Sequence, residues 1–314
     1  MRRRQGSRNI VTKVLFLSGG EDQFSERLRN SYPGVHAERI FACNTLGFRV
    51  LRRVVASIHS DLVSSLFANW RSSISHYDLV ILPASIYSKA IARYIRARSE
   101  IPIAHWYWNP VCSTVAPRDL GPASAIYSFD EDDCAEYGLR YRRTYYFKNI
   151  FLPQNPISYD VCFVGADKGR LTGLLQLQQE FESRGLKVAF HITDSDTKKP
   201  SRSYAYQGRV GYEDVLQYIS KSTAILDLVQ DGQSGLTQRP MEALFFNKKL
   251  ITNDKRIVKA DFYCKDNIFI LGQDALNHLA EFLRSPVTPV SGEIRERYDF
   301  GPWVGSIVAE LSSK

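Results

Sequence analysis

Two stretches of this sequence combine backbone donors with cations in a way that suits an anion. The first is Gln233–Asp254, QSGLTQRPMEALFFNKKLITND. It places Gln233, Ser234, Gly235, Leu236 and Thr237 around the start of a helix that opens at about Leu236, carries Arg239 and Glu242, and closes at Asn247. The unpaired N–H groups of a helix start point at a ligand, and the helix dipole favours negative charge there. Arg239 falls in the first turn, where that dipole disfavours a cation. An anion close by would account for it; so would solvent, or an ion pair with Asp231. The second stretch is Gly165-Ala166-Asp167-Lys168-Gly169-Arg170. Its glycines and the cations Lys168 and Arg170 suit phosphate, or they make a surface turn. No GxxxxGK[ST] occurs, so ATP hydrolysis of the Walker type is unsupported.

The elements that must hold these residues alternate strand and helix. Ala224–Leu228 reads as a strand, Val229–Gly232 as a polar turn and Lys249–Thr252 as the next strand. With the helix between them they form a βαβ unit, whose ligand sits outside the carboxyl end of the strand. Asp160–Val164 is the strand that feeds the glycine turn at Gly165, and Leu171–Ser183 is the helix after it. Lys187–Thr193, Tyr212–Ser220, Asn267–Leu271 and Ala275–Leu283 continue the alternation. An earlier series starts at Val14–Leu17, which runs into Ser18-Gly19-Gly20. It continues through the apolar strand Asp78–Leu82, a helix Ser88–Arg98, a strand from Ile101 to His105 and a strand Ala125–Phe129. Pro153–Ile157, with two prolines, is the expected linker. The fold class is therefore α/β, with two Rossmann-like domains facing a cleft. The expected bounds are a basic disordered arm at 1–12, a first domain at 13–152 and a second at 153–314.

Other positions invite chemistry less directly. His105 ends a strand and reads as a core histidine or as a base. Asp130 precedes a helix and reads first as its N-cap, with a catalytic carboxylate as the alternative. Trp106-Tyr107-Trp108 follows His105 and could wall a ligand pocket or fill a core. Phe48–Trp70 reads as one long amphipathic helix, with Leu51, Val54, Val55, Ile58, Leu62 and Leu66 facing the core and arginines in solvent. A helix leaning on anionic lipid is the alternative. Asp194-Ser195-Asp196 is a DxD triplet, read as a loop start and not as a metal site. No Ser-His-Asp, Cys-His or HExxH arrangement is present, and the six histidines show no ligand spacing.

Composition narrows the classes. The 314 residues are 44% hydrophobic and 24% charged, which is globular. Five of the eight net positive charges lie in Met1–Lys13, leaving +3 elsewhere. That arm suits a solvated tail or a weak contact with an anionic inner-membrane surface, and no nucleic-acid motif accompanies it. The five cysteines are scattered without a CxxC, which argues against a disulfide framework or a zinc site. With neither an apolar signal stretch nor a spanning run of about 20 residues, the expected location is cytoplasmic, peripheral at most.

Three segments then carry a resemblance. Tyr159–Arg170 fits YDVxFVGxxxxR, Tyr212–Asn253 fits YxxVLxxIxxSxAILDxxQxGQxGLTxRxxEALxxxKKLITxN, and Asp261–Leu271 fits DFYxxxNIxIL. Over residues 155–275 the chain resembles the donor domain of GT-B fold glycosyltransferases, and among them bacterial lipopolysaccharide or capsular polysaccharide biosynthesis proteins. Trp108-Asn109-Pro110 and Ser128-Phe129-Asp130 extend the likeness loosely to the first half. The resemblance implies a metal-independent enzyme that moves a sugar from a nucleotide-sugar donor to a saccharide or lipid-linked acceptor, with no further cofactor. It implies that Glu242 accepts hydrogen bonds from the ribose hydroxyls, and that Gly165, Lys168, Arg170, Gly235, Leu236, Thr237 and Arg239 hold the diphosphate. Many retaining members carry a second glutamate at the position of Ser234; here Ser234 and Gln233 would be neutral partners of the donor, and the stereochemistry stays open. His105 and Asp130 would be the catalytic candidates. The alternative is a non-catalytic, glycosyltransferase-like protein that binds a saccharide or a partner.

Overall fold

The computed structural model describes residues 12–19, 23–58, 60–195, 204–229 and 234–312. The chain divides into two compact units: the residues up to Arg143 together with those from Trp303 on, and Thr144–Pro302.

The first unit is built on a six-stranded parallel sheet in the order β2-β1-β3-β4-β5-β6. Its strands are β1 (Val14–Ser18), β2 (Val35–Arg39), β3 (Leu79–Pro83), β4 (Ile103–Tyr107), β5 (Ala125–Ser128) and β6 (Arg140–Tyr141). Its helices are α1 (Gln23–Asn30), α2 (Leu46–Ile58), α3 (Trp70–Ser73), α4 (Ser88–Arg96) and α5 (Glu131–Tyr137). The central strands are buried and, His105 apart, mainly apolar because helices cover both faces of a parallel sheet. Leu15, Leu17, Val80, Leu82 and Ile103 meet Ile91 and Ile95 of α4 in one core.

The second unit has five parallel strands in the order β11-β10-β9-β7-β8. They are β7 (Tyr159–Ala166), β8 (Val188–Thr193), β9 (Ser222–Asp227), β10 (Lys249–Thr252) and β11 (Ile268–Ile270). Helices α6 (Leu171–Ser183), α7 (Tyr212–Ser220), α8 (Gln238–Phe246), α9 (Leu279–Arg284) and α10 (Gly292–Glu296) surround it. Val161, Phe163, Leu226 and Ile251 form the sheet side of its core, with Leu174 and Phe181 of α6 against them. In both units the first strand lies between the second and the third. That is the doubly wound arrangement, and its switch point in the second unit falls between β7 and β9.

Two expectations change. Phe48–Trp70 is not one helix: α2 ends at Ile58, a tight 3-10 stretch covers Ser60–Leu66, and α3 begins at Trp70. Nor is the expected stripe buried as a whole, although Val55 and Leu66 of it do pack on the core. Phe48, Val55 and Ala56 pack on the core, whereas Leu51, Val54 and Leu62 lie exposed. Arg52 takes the inward place, buried with its guanidinium 4.6 Å from the Phe41 ring centre and 5.5 Å from that of Tyr87. Arg52 thus shares the inward side with Phe48, Val55 and Ala56, about a quarter turn from the expected stripe.

The chain also returns. α11 (Phe300–Ser312) starts in the second unit, where Phe300 packs on Tyr145 at 4.9 Å between ring centres. Its later residues complete the first unit. Trp303 lies 4.9 Å from Trp106 and donates from its indole nitrogen to the Arg143 carbonyl at 2.9 Å. Glu310 pairs with Arg140 at 2.5 Å and with Arg142. The proline segment Pro153–Ile157 lacks regular structure and lies inside the second unit, since Tyr146 before it already packs on Phe245 and Phe246.

Candidate functional site

The candidate site is the carboxyl edge of β7 and β9 with the start of α8. Thr237 caps α8: its Oγ1 accepts from the Arg239 backbone N–H at 3.3 Å and donates to Asp227 Oδ1 at 2.9 Å. Asp227, the last residue of β9, is buried, and its other oxygen accepts from Thr252 at 3.4 Å. The turn after β9 is clipped by Asn253, which accepts from the Val229 N–H at 2.7 Å and donates to its carbonyl at 3.2 Å. At the far end Asn247 closes α8 in the left-handed conformation, φ 54°. The helix thus has the expected end and starts at Gln238, two residues later than expected. Pro240 fits its first turn, where no helical N–H bond is lost.

Three cations gather at this edge. The Arg239 guanidinium lies over the Phe163 ring at 4.7 Å, donates to the Val164 carbonyl at 2.7 Å and stands 3.8 Å from Asp227. Its close neighbour is Gly165, where a Cβ would come within 2.4 Å of Nη2. The second cation, Arg170, donates to the carbonyls of Asp167 at 3.0 Å, of Ala166 at 2.9 Å, and of Leu228, tying the turn after β7 to the turn after β9. Burial, reinforced by Arg239, pulls its pKa down to about 10. Lys168, in the left-handed conformation at φ 46°, is likewise pulled down, first by desolvation and then by Arg170 and Arg239. Like charge crowded into a half-buried edge disfavours the charged forms of Lys168 and Arg170, and an anion there would offset the repulsion.

Glu242 lies one helical turn beyond Arg239 and is only 4% exposed. Tyr212, the first residue of α7, donates to Glu242 Oε1 at 2.7 Å, and Tyr146 bonds to the Tyr212 hydroxyl. Desolvation raises Glu242 to about 7 despite the Tyr212 hydrogen bond and Arg239. The neighbours Lys248 and Lys249, plausible partners on a helix surface, are engaged elsewhere. Lys248 donates to the Ser222 carbonyl at 2.6 Å, and Lys249 to the Asp266 carbonyl at 2.7 Å.

The structure therefore brings Gly165, Lys168, Arg170, Thr237 and Arg239 to one edge. Ser234, Gly235 and Leu236 run into the α8 cap beside them, with Gly235 buried. Gln233 and Asp231 lie outside the described residues, as does Asp196 of the DxD triplet. Among the described residues no three His, Cys, Asp or Glu side chains gather as a metal would require.

The two catalytic candidates are placed differently. His105 sits in the middle of β4, fully covered, and desolvation lowers its pKa to about 4. It is a neutral core histidine with no path to a substrate in this conformation. Asp130 is the N-cap of α5: its Oδ1 accepts from the N–H groups of Asp132 at 3.0 Å and Asp133 at 3.1 Å, and it is buried. Of the aromatic run, Trp106 and Tyr107 are core, and Trp108 reaches the surface. Sequence reasoning missed Asp227, Tyr212 and Tyr146. An acid ending an apolar strand, as Asp227 does, is the one local signal among them.

No protein-family model matches the sequence, and no curated protein matches it. Solved structures do. A lipopolysaccharide outer core galactosyltransferase, WaaB, in its apo form is 14% identical, with 96% of this chain and 100% of that one covered and a TM-score of 0.50. MnaA of S. aureus, solved with UDP, is 12% identical over 96% of both chains, with a TM-score of 0.51. The N-terminal domain of trehalose-6-phosphate phosphatase from Candida albicans is 10% identical over 100% of this chain and 99% of that one, with a TM-score of 0.52. At these identities the likeness is one of fold: two parallel-sheet α/β domains, as in proteins of the GT-B fold.

Proposed function

We propose that this protein is a metal-independent glycosyltransferase that takes a sugar from a nucleotide-sugar donor and passes it to a saccharide or lipid-linked acceptor. The setting would be the cytoplasmic stage of lipopolysaccharide or capsule assembly. One observation carries the reading: Lys168, Arg170 and Arg239 crowd the switch point of the second sheet, beside a capped helix start. A departing nucleoside diphosphate concentrates negative charge where these groups would meet it. Arg239, Lys168 and the N–H groups of Ser234, Gly235, Leu236 and Thr237 would hold the diphosphate, with Gly165 giving Arg239 its room. Glu242 would accept from the ribose hydroxyls, after a movement that opens its cover. The first unit would hold the acceptor. Rate would come from positioning and from stabilising the leaving group.

A second reading, a binder that performs no transfer, is favoured by one finding. Both candidate bases are engaged in the first unit, His105 in the core and Asp130 in a helix cap. Thermal-shift titration with UDP, GDP, ADP and their sugar conjugates tests the donor site. A ligand at 100 times its Kd stabilises by about 2.7 kcal/mol, a rise of roughly 4 °C for a chain this size. The shift should vanish in Arg239→Ala. No shift with any nucleotide would remove the donor site. A shift without release of nucleotide from any sugar conjugate, in the presence of acceptor extracts, would favour the binder.

A further inference from the structure

The outward face of α2 has the chemistry of a surface-seeking helix. Leu46, Val50 and Val54 recur every fourth residue and form one ridge, and they are 70%, 57% and 48% exposed. Leu51 flanks the ridge on one side, and Leu62 of the following turn is also uncovered. Arg49 and Arg53 flank it on the other side, both exposed. The helix runs for 13 residues, contains three arginines and has no acid. Its opposite side is already used: Phe48, Val55 and Ala56 pack on the core, and Arg52 lies on Phe41 and Tyr87. Single exposed apolar residues need no explanation, but a ridge of them does.

We propose that this face docks the first unit on an anionic lipid surface, with Leu46, Val50 and Val54 entering the acyl boundary and Arg49 and Arg53 meeting lipid phosphates. Charge selects this occupant. In a two-fold contact with a second copy, α2 would set Arg49 and Arg53 near their own images, with no acid on the helix to pair them. Against anionic headgroups the same arginines gain, and the convex ridge buries apolar area at the depth where interfacial helices lie. No described helix is long and apolar enough to cross a membrane, so contact would be lateral. The inference stands apart from the donor site and needs none of the residues before Thr12.

Flotation of the full chain with vesicles tests it. Binding should be clear with phosphatidylglycerol–phosphatidylcholine vesicles, weak with phosphatidylcholine alone, and reduced by salt. Arg49→Gln and Arg53→Gln should each weaken it about fivefold. Leu46→Ser combined with Val50→Ser and Val54→Ser should weaken it about tenfold or more, with only a small fall in melting temperature because these side chains are about half exposed or more. As a second reading of the same face, a Val50→Trp variant should be quenched by brominated lipid. The proposal fails if the wild-type chain ignores anionic vesicles, if the serine variant binds as well as wild type, or if the introduced tryptophan is not quenched. It also fails if the chain forms a dimer without vesicles that the serine substitutions abolish, since the ridge would then belong to a second copy.

Discussion

Glu242 holds a charge that its surroundings resist. Its pKa is about 7 in the fold, against an ordinary 4.5. Between these values the unfolded chain has released the proton and the folded chain keeps it. Stability therefore falls as pH rises through that window, and the penalty is complete above about 7. Glu242→Gln keeps an acceptor for the Tyr212 hydroxyl and removes the charge. We expect the variant to gain stability over wild type at pH 8, to match it near pH 4.5, and to flatten the slope between, as read by denaturant melts across pH. The same variant should bind a nucleoside diphosphate more weakly if Glu242 meets the ribose. Gly165→Ala acts on the neighbouring cation: the new Cβ, 2.4 Å from Arg239 Nη2, forces the guanidinium off the Val164 carbonyl. Losing a hydrogen bond from a charged donor costs about 1.5–3 kcal/mol, so denaturant melts should show a loss of that order, and calorimetry should show weaker nucleotide binding if Arg239 meets the diphosphate from its present position. Arg239 was legible as a site residue because it contradicts its own helix dipole. Its partner Asp227 and the Tyr212–Glu242 bond were not, since pairs made 12 and 30 positions apart leave no local pattern.

At the scale of elements, α8 and α2 show what local signals can and cannot do. The C-terminal end of α8 was readable because Asn247 tolerates a left-handed backbone, whereas its start lay two residues past the expected Leu236, behind the Thr237 cap. Asn247→Ala should cost about 1 kcal/mol, and Asn247→Gly little, by thermal melts. The facing of α2 was not readable, because periodicity says which residues share a face and not which face turns inward. Here Arg52 turns inward, onto Phe41 and Tyr87, which are distant from it in sequence and leave no local sign. Yet Arg52 Nε and Nη1 are buried with no hydrogen-bond partner among the described residues. Taking a single charge out of water costs several kcal/mol unless its partners offset it. Arg52→Met should accordingly raise the melting temperature, and a fall of several degrees would mean that the two rings outweigh the desolvation.

For the whole molecule, the order of the strands was not read in advance; the legible part was the alternation of strand and helix, since continuous apolar runs mark strands buried in a parallel sheet. Both sheets obey it. The return of the chain after Pro302 was hidden: residues 303–312 look like the end of a second domain until Trp303 is seen against Trp106. Trp303→Ala should cost about 3–5 kcal/mol. Hydrogen exchange should locate the loss in β4, β5 and β6, with β7 to β11 protected as before. That tail also sets an order of events. A ribosome emits the first unit's sheet, then the whole of Thr144–Pro302, and only then the helix that covers Trp106 and brings Glu310 to Arg140 and Arg142. At about 5–20 residues per second, the indole of Trp106 waits roughly 10–40 s for its cover. The first unit is begun first and finished last, and while it waits its open sheet is the part of the nascent chain that a chaperone would find.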